Sequence, residues 1–235
     1  MPEAVVKEAS YDGTGRALAV YAKQETRGKE YAEAFLNALA ARVGITGGRL
    51  VDCGCSIGVL VDAATRRGFN ASGIDLDQEA IAYGLEKNRS VKVGQLTDLP
   101  EDCADVIVLQ HTLEHFPDPA AALNDCSRIV GQGGAVCVSV PCFRGTLPRI
   151  FPSRWYGWQL KQHYYHFSKI ALERMLKQNG FGRVVAWCDS MDHRIEWNRL
   201  TNARQAVLNA TLTSVAMVGG ILGHGDQLHA IGIRE

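Results

Sequence analysis

The chain is 235 residues long, 46% hydrophobic and 21% charged, the balance expected of one sizeable α/β domain with a full core. Its 25 Lys and Arg are matched by 25 Asp and Glu, so no overall charge draws it to nucleic acid, and a charged partner must be recognised locally. The densest apolar run, residues 215–222, falls well short of the roughly 18–20 residues of a bilayer span.

The elements alternate along the chain. Tyr31, Phe35, Leu39 and Val43 recur at four-residue steps and predict an amphipathic helix over residues 29–43, stopped by Gly44. Residues 49–52 read as a strand, 57–67 as a helix stopped by Gly68, 71–75 as a second strand and 78–88 as a helix. Strands follow at 91–94 and 104–110, then a helix over 119–130 and a strand over 135–140. Residues 141–167 break the pattern, too long for a plain connection and therefore expected to form a lid. Regularity returns with a helix over 168–178, a strand near 183–188, a long helix from about 195 and a last strand over 227–233. Such alternation predicts a doubly wound, Rossmann-like, mostly parallel sheet. One domain is expected over residues 1–235, with a helical cap at 1–45 and the lid at 141–167.

The chemistry concentrates after the first strand. Asp52-Cys53-Gly54-Cys55-Ser56-Ile57-Gly58 is a strand running into a glycine turn and a helix, the place where an open α/β sheet binds a nucleotide-like ligand. Gly54 lets backbone approach the ligand where a Cβ would obstruct it. Asp75, at the end of the second strand, is placed to accept from both hydroxyls of a ribose, each charge-assisted bond contributing roughly 1.5–3 kcal/mol. A dinucleotide fingerprint would require glycines at Ser56 and Val59, and Asp52 would repel a pyrophosphate while suiting a cationic ammonium.

The segment resembles the first motif of the class I S-adenosylmethionine-dependent methyltransferases, with Ser56 in place of the middle glycine. Further blocks follow in that family's order. Asp75 falls where the family's ribose-binding acid sits, with Leu76 beside it, and Gly94-Gln95-Leu96-Thr97-Asp98-Leu99-Pro100 resembles the block that frames adenine. The segment from Asp105 to Pro119 resembles the fourth-strand block, whose end, here Gln110 and His111, faces the methionine part of the cofactor. His163-Tyr164-Tyr165-His166-Phe167-Ser168, followed by Asn179-Gly180-Phe181, resembles a block of the subgroup that methylates small molecules. The resemblance implies a seven-stranded sheet and S-adenosyl-L-methionine as cofactor, held by Asp52, Gly54, Cys55, Ser56, Gly58, Asp75, Leu76, Gln95, Leu96, Gln110 and His111. It implies methyl transfer to an oxygen or nitrogen of a small molecule. The alternatives are a non-catalytic cofactor-binding partner subunit and a nicotinamide-dependent oxidoreductase.

Eight of the 18 aromatic residues fall in the lid, and no acid occurs from Cys126 through Leu172 although six Arg and Lys do. Arg144, Arg154, Trp155, Tyr156, Trp158, Tyr164 and Tyr165 are therefore the expected acceptor contacts, suited to a flat acceptor bearing a carboxylate or phosphate; a solvated basic face over core aromatics is the plainer reading. His163, then His166, then His111 are the candidate general bases, each equally readable as a structural hydrogen-bond partner. Glu114 reads as a residue capping a turn. The segment 11–27, with Tyr11, Tyr21 and Lys23, is expected to fold over the cofactor. Cys53 and Cys55 lack the spacing of zinc pairs, so no metal is expected. The seven cysteines read as reduced core thiols of a cytoplasmic chain, residues 1–10 having no apolar leader. The expected partner is a small-molecule acceptor, with no nucleic acid or membrane, in a monomer or homodimer.

Overall fold

The computed structural model describes residues 16–190 and 203–235. The elements, in order, are α1 (Arg16–Val43), β1 (Gly48–Cys53), α2 (Val59–Arg66), β2 (Phe69–Asp75), α3 (Gln78–Glu86), β3 (Val91–Val93), β4 (Ala104–Gln110) and α4 (Pro119–Ile129). β5 (Val130–Pro141), α5 (Thr146–Ile150), α6 (Lys169–Gln178), β6 (Phe181–Asp189), α7 (Ala203–Ile221) and β7 (Gln227–Arg234) complete them. The strands form one sheet in the order β3-β2-β1-β4-β5-β7-β6. β7 runs antiparallel to both its neighbours, and the other pairings are parallel. This is the doubly wound sheet that the alternation predicts.

Helix starts follow local chemistry. Asp77 accepts from the N–H groups of Glu79 and Ala80 to cap α3, Asp118 caps α4 ahead of Pro119, and Ser168 caps α6. Both sheet faces are covered. Leu36 and Leu39 of α1 and Leu60, Ala63 and Ala64 of α2 bury Val106, Val108, Ala135, Cys137 and Ile231. On the opposite face Leu123, Cys126 and Ile129 of α4 and Leu172 and Leu176 of α6 cover Ile107, Leu109, Val136 and Val138.

Three regions depart most from the sequence reading. α1 begins at Arg16 and not near residue 29, running through Gly28, which packs closely on α2: a Cβ there would lie 3.1 Å from Val59 Cγ1. β5 begins at Val130, directly after α4, through a glycine-rich stretch in which Gly133 has φ +79. The lid is partly ordered into α5 and the 3-10 turns Pro152–Arg154 and Tyr156–Trp158. The predicted start of the long helix near residue 195 lies outside the described residues. No described helix is long and apolar enough to cross a membrane.

Candidate active site

The glycine turn after β1 and the ends of β2 and β4 meet at the carboxyl edge of the sheet. The N–H groups of Gly54 and Cys55 both donate to the Ile74 carbonyl, which ties the turn to β2. Ser56 N–H donates to Asp75 Oδ2 at 2.7 Å and Asp77 N–H to Asp75 Oδ1 at 2.9 Å. Asp75 is thereby fixed at the edge, half-buried, with each oxygen retaining a second lone pair for a ligand. Ser56 has φ +48, the left-handed geometry that favours glycine, as does Gly54 at φ +80. A Cβ on Gly54 would lie 2.8 Å from Thr112 Cγ2, so the turn packs directly under the loop that follows β4.

Asp52 lies beneath the turn, 4% exposed, and its Oδ1 has no hydrogen-bond partner. Burial first, then the neighbouring Asp75, pushes its carboxyl up to about 7. A buried carboxylate without a partner is costly, and a cationic group arriving above the turn relieves it. Beside Asp75, Leu76 is 66% exposed, an apolar side chain open to a flat base. Gln95 is exposed and begins the 3-10 turn Leu96–Asp98, in which Leu96 is buried. An orphaned acid, a turn that a Cβ would fill and a fixed ribose-height carboxylate fit the ammonium, backbone-tight tail and sugar of S-adenosylmethionine. α1 closes the far side of the turn: Tyr21 is buried with Ile57, Val59 and Ala80 and its ring lies 5.1 Å from that of Tyr83. Tyr11 and the side chain of Lys23 lie outside the described residues.

Cys53 and Cys55 are buried, and burial with the nearby Asp52 and Asp75 raises both thiols, Cys53 to about 12. They stay protonated and pack. Cys142 differs: its sulfur accepts from the Cys188 thiol at 3.9 Å, which lowers it to about 7.

At the end of β4, Gln110 lines a cavity of about 300 Å³ between α1 and the sheet. Gln110 pairs across to Ser139, Ser139 to His229 and His229 to Trp187, so one row of side chains crosses β4, β5, β7 and β6 on the α1 face. Ser139 Oγ lies 2.8 Å from His229 Nδ1, and His229 Nε2 lies 3.0 Å from Asp189 Oδ1. The carboxylate accepts from Nε2–H, which leaves Nδ1 to accept from the Ser139 hydroxyl. The His229 ring stacks on Trp187 at 5.1 Å, and the Arg42 guanidinium lies 3.8 Å over Trp187. Tyr31 and Phe35 of α1 line the opposite wall. The sequence reading singled out none of Ser139, Asp189 and His229. A single serine in the apolar run 135–140 and a single histidine in the last strand were the available signals.

The predicted base and acceptor residues are placed otherwise. His111, at φ +52, follows β4 with Nε2 3.0 Å from the Gln227 amide nitrogen and Nδ1 3.5 Å from Glu114 Oε1. His163 is buried and donates from Nδ1 to the Gly157 carbonyl at 2.8 Å; burial lowers its pKa. His166 donates from Nε2 to the carbonyls of Gly157 and Trp158. Both thus hold the lid backbone. Trp155 is buried edge-to-face on Trp158 at 4.9 Å, while Tyr164, Tyr165 and Arg144 are exposed. None of these described lid side chains lines the cavity; the side chains of Arg154 and Tyr156 lie outside the described residues. Glu114 caps nothing: it is 1% exposed and neither carboxylate oxygen has a hydrogen-bond partner.

Residues 23–185 match the methyltransferase domain family. The chain belongs to the class I S-adenosylmethionine-dependent methyltransferases. S-Adenosyl-L-methionine is the cofactor of this methyltransferase. It is 36% identical over 105 residues to a ubiquinone biosynthesis O-methyltransferase of Alkalilimnicola ehrlichii, covering 41% of this chain and 42% of that protein. Its counterpart in Pseudomonas aeruginosa is 34% identical over 113 residues, 44% of this chain and 49% of the relative. The matched region thus spans less than half the length of these curated relatives. Among solved structures, an S-adenosylmethionine-dependent methyltransferase of Thermotoga maritima superposes with a TM-score of 0.66 at 16% identity, over 94% of this chain and 97% of that one. A geranyl diphosphate methyltransferase in complex with the cofactor gives 0.63 at 17% identity, over 97% and 93%. These two likenesses are of fold.

Proposed function

We propose that this methyltransferase transfers a methyl group to a hydroxyl oxygen of a small, partly aromatic acceptor seated in the cavity between α1 and the ends of β4, β5 and β7. The observation that carries the reading is the Ser139–His229–Asp189 chain opening on that cavity. Bound S-adenosylmethionine supplies a sulfonium-activated methyl group. Asp52 receives its ammonium, Asp75 its ribose hydroxyls, and Gly54 allows close backbone approach. The acceptor hydroxyl donates to Ser139 Oγ. As the acceptor oxygen takes the methyl, its proton passes through Ser139 to His229 Nδ1, and Asp189 stabilises the imidazolium. Tyr31, Phe35 and Trp187 suit a flat acceptor. The O-methyltransferase names of the curated relatives agree with a hydroxyl acceptor.

The test pairs labelled donor with a panel of phenols and measures methylated product by mass spectrometry. His229→Phe keeps a ring on Trp187 and removes the proton path. It is expected to lower turnover by about 10²–10⁴ while the dissociation constant for S-adenosylhomocysteine stays within about twofold. Turnover retained in His229→Phe removes the relay from the mechanism; cofactor binding with no product from any hydroxylated acceptor removes the reading itself.

A further inference from the structure

The mechanism above uses neither Glu114 nor the histidines around it, yet these form a distinct polar cluster among the described residues. Glu114 and His115 lie in the 3-10 turn Leu113–His115 just after β4, and His163 lies in the lid. The two segments are joined where Tyr164 N–H donates to the Glu114 carbonyl at 2.9 Å. One Glu114 oxygen and one ring nitrogen from each histidine all lie within 4.8 Å of one another.

Three features distinguish this cluster from a solvated surface group. The Glu114 side chain is buried and both of its oxygens lack a hydrogen-bond partner. His115 Nδ1 lies 3.0 Å from the Gln162 carbonyl and His163 Nδ1 lies 2.8 Å from the Gly157 carbonyl. A carbonyl only accepts, so each Nδ1 carries the proton and each Nε2 keeps a lone pair. Histidines that bind metals are held in this way, one nitrogen fixed by a backbone carbonyl and the other presented to the ion.

An ion pair with His111 is the competing account of Glu114. Against it, His111 Nδ1 stands 3.5 Å from Oε1 without a well-formed hydrogen bond, and its Nε2 is already engaged 3.0 Å from the Gln227 amide. His111 therefore gives neither Glu114 oxygen a hydrogen bond.

The geometry points to a divalent metal site made by Glu114, His115 and His163, for an ion of the zinc class. Two imidazoles and one carboxylate match a three-ligand zinc set with a fourth position left for water or a donor atom of a bound molecule. Magnesium and calcium favour all-oxygen sets. Ligand atoms around tetrahedral zinc stand ~3.3 Å apart, so side-chain rotation closes the cluster onto an ion. The bound ion would pin the lid to the end of β4.

The test uses the tag-free full chain, stripped with chelator and then dialysed against zinc chloride, with metal content read by mass spectrometry and affinity by titration calorimetry. One equivalent of zinc is expected, with a rise in Tm. Cobalt in its place should give the visible absorption of a tetrahedral site. His115 is exposed, so His115→Ala costs the apo fold only its contact to the Gln162 carbonyl, and Glu114→Gln keeps the volume of the buried side chain. Each is expected to weaken zinc at least ~tenfold and to abolish the Tm rise, whereas His166→Ala retains both. Less than half an equivalent in the unmodified chain, or equal zinc affinity in His115→Ala and Glu114→Gln, overturns the assignment. Neither readout depends on methyl transfer.

Discussion

On the proposed placement of the cofactor, Asp52 sets the affinity. Its carboxyl, raised to about 7 by burial and by Asp75, holds its proton on the acid side of that value and releases it on the alkaline side. An ammonium beside Oδ1 favours the ionised form, so affinity for S-adenosylhomocysteine should rise with pH through about 7 and level off above it. The slope on the acid side approaches ~tenfold per pH unit. Asp52→Asn should flatten that slope and bind more weakly than the unmodified chain at about pH 8. Titration calorimetry at several pH values between about 5.5 and 8 decides the matter, and a level profile in the unmodified chain would move the ammonium away from Asp52.

The β1–α2 turn works because the loop after β4 rests on it. Thr112 Oγ1–H donates to the Gln110 carbonyl at 3.0 Å, and its methyl lies where a Cβ on Gly54 would need to be. Gly54→Ala therefore adds the left-handed penalty of φ +80 and displaces Thr112, a cost of about 2–3 kcal/mol in all. Adding Thr112→Ala should restore roughly 1 kcal/mol, a coupling that a double-mutant cycle in urea reads directly; strict additivity would mean that the two segments do not press on one another. This turn was legible in the sequence because strand, glycines and Asp75 follow one another within a few dozen residues, and each needs only its neighbours. The row Gln110–Ser139–His229–Trp187 was not, since β7 enters between β5 and β6 and brings together residues from four strands through a register that no local spacing encodes. The lid shows the same limit from the other side. Its aromatic composition was plain, but composition does not tell that Trp155 and Trp158 pack on each other while Tyr164 and Tyr165 face outward.

At the scale of the whole molecule, the proposed cofactor site predicts that binding depends on how α1 is held across the glycine turn, where Arg89 is the point of attachment. Its side chain is 5% exposed; Nη1 donates to the Ile57 carbonyl at 2.7 Å, at the start of the turn's helix, and Nη2 lies 2.7 Å from Glu25 Oε1 on α1. Asp62 of α2 stands 3.9 Å from the same nitrogen. One guanidinium thus joins the N-terminal helix, the glycine turn and the segment leading into β3. Removing Glu25 leaves a buried cation with only the more distant Asp62 as counter-charge, and Glu25 is itself 17% exposed, so Glu25→Ala should cost about 1.5–3 kcal/mol and not the full toll of an isolated buried charge. The loss should be directional. Because Tyr21, one turn earlier on α1, covers Ile57 and Val59, detachment of the helix opens the turn, and S-adenosylhomocysteine should bind at least ~tenfold more weakly, a matter of about 1.4 kcal/mol. Arg89→Met with Glu25→Leu replaces the pair by apolar volume and should recover most of the unfolding free energy. Urea unfolding and calorimetry on the same three proteins separate the alternatives: if Glu25→Ala loses stability but binds the product normally, α1 supports the sheet without closing the cofactor site.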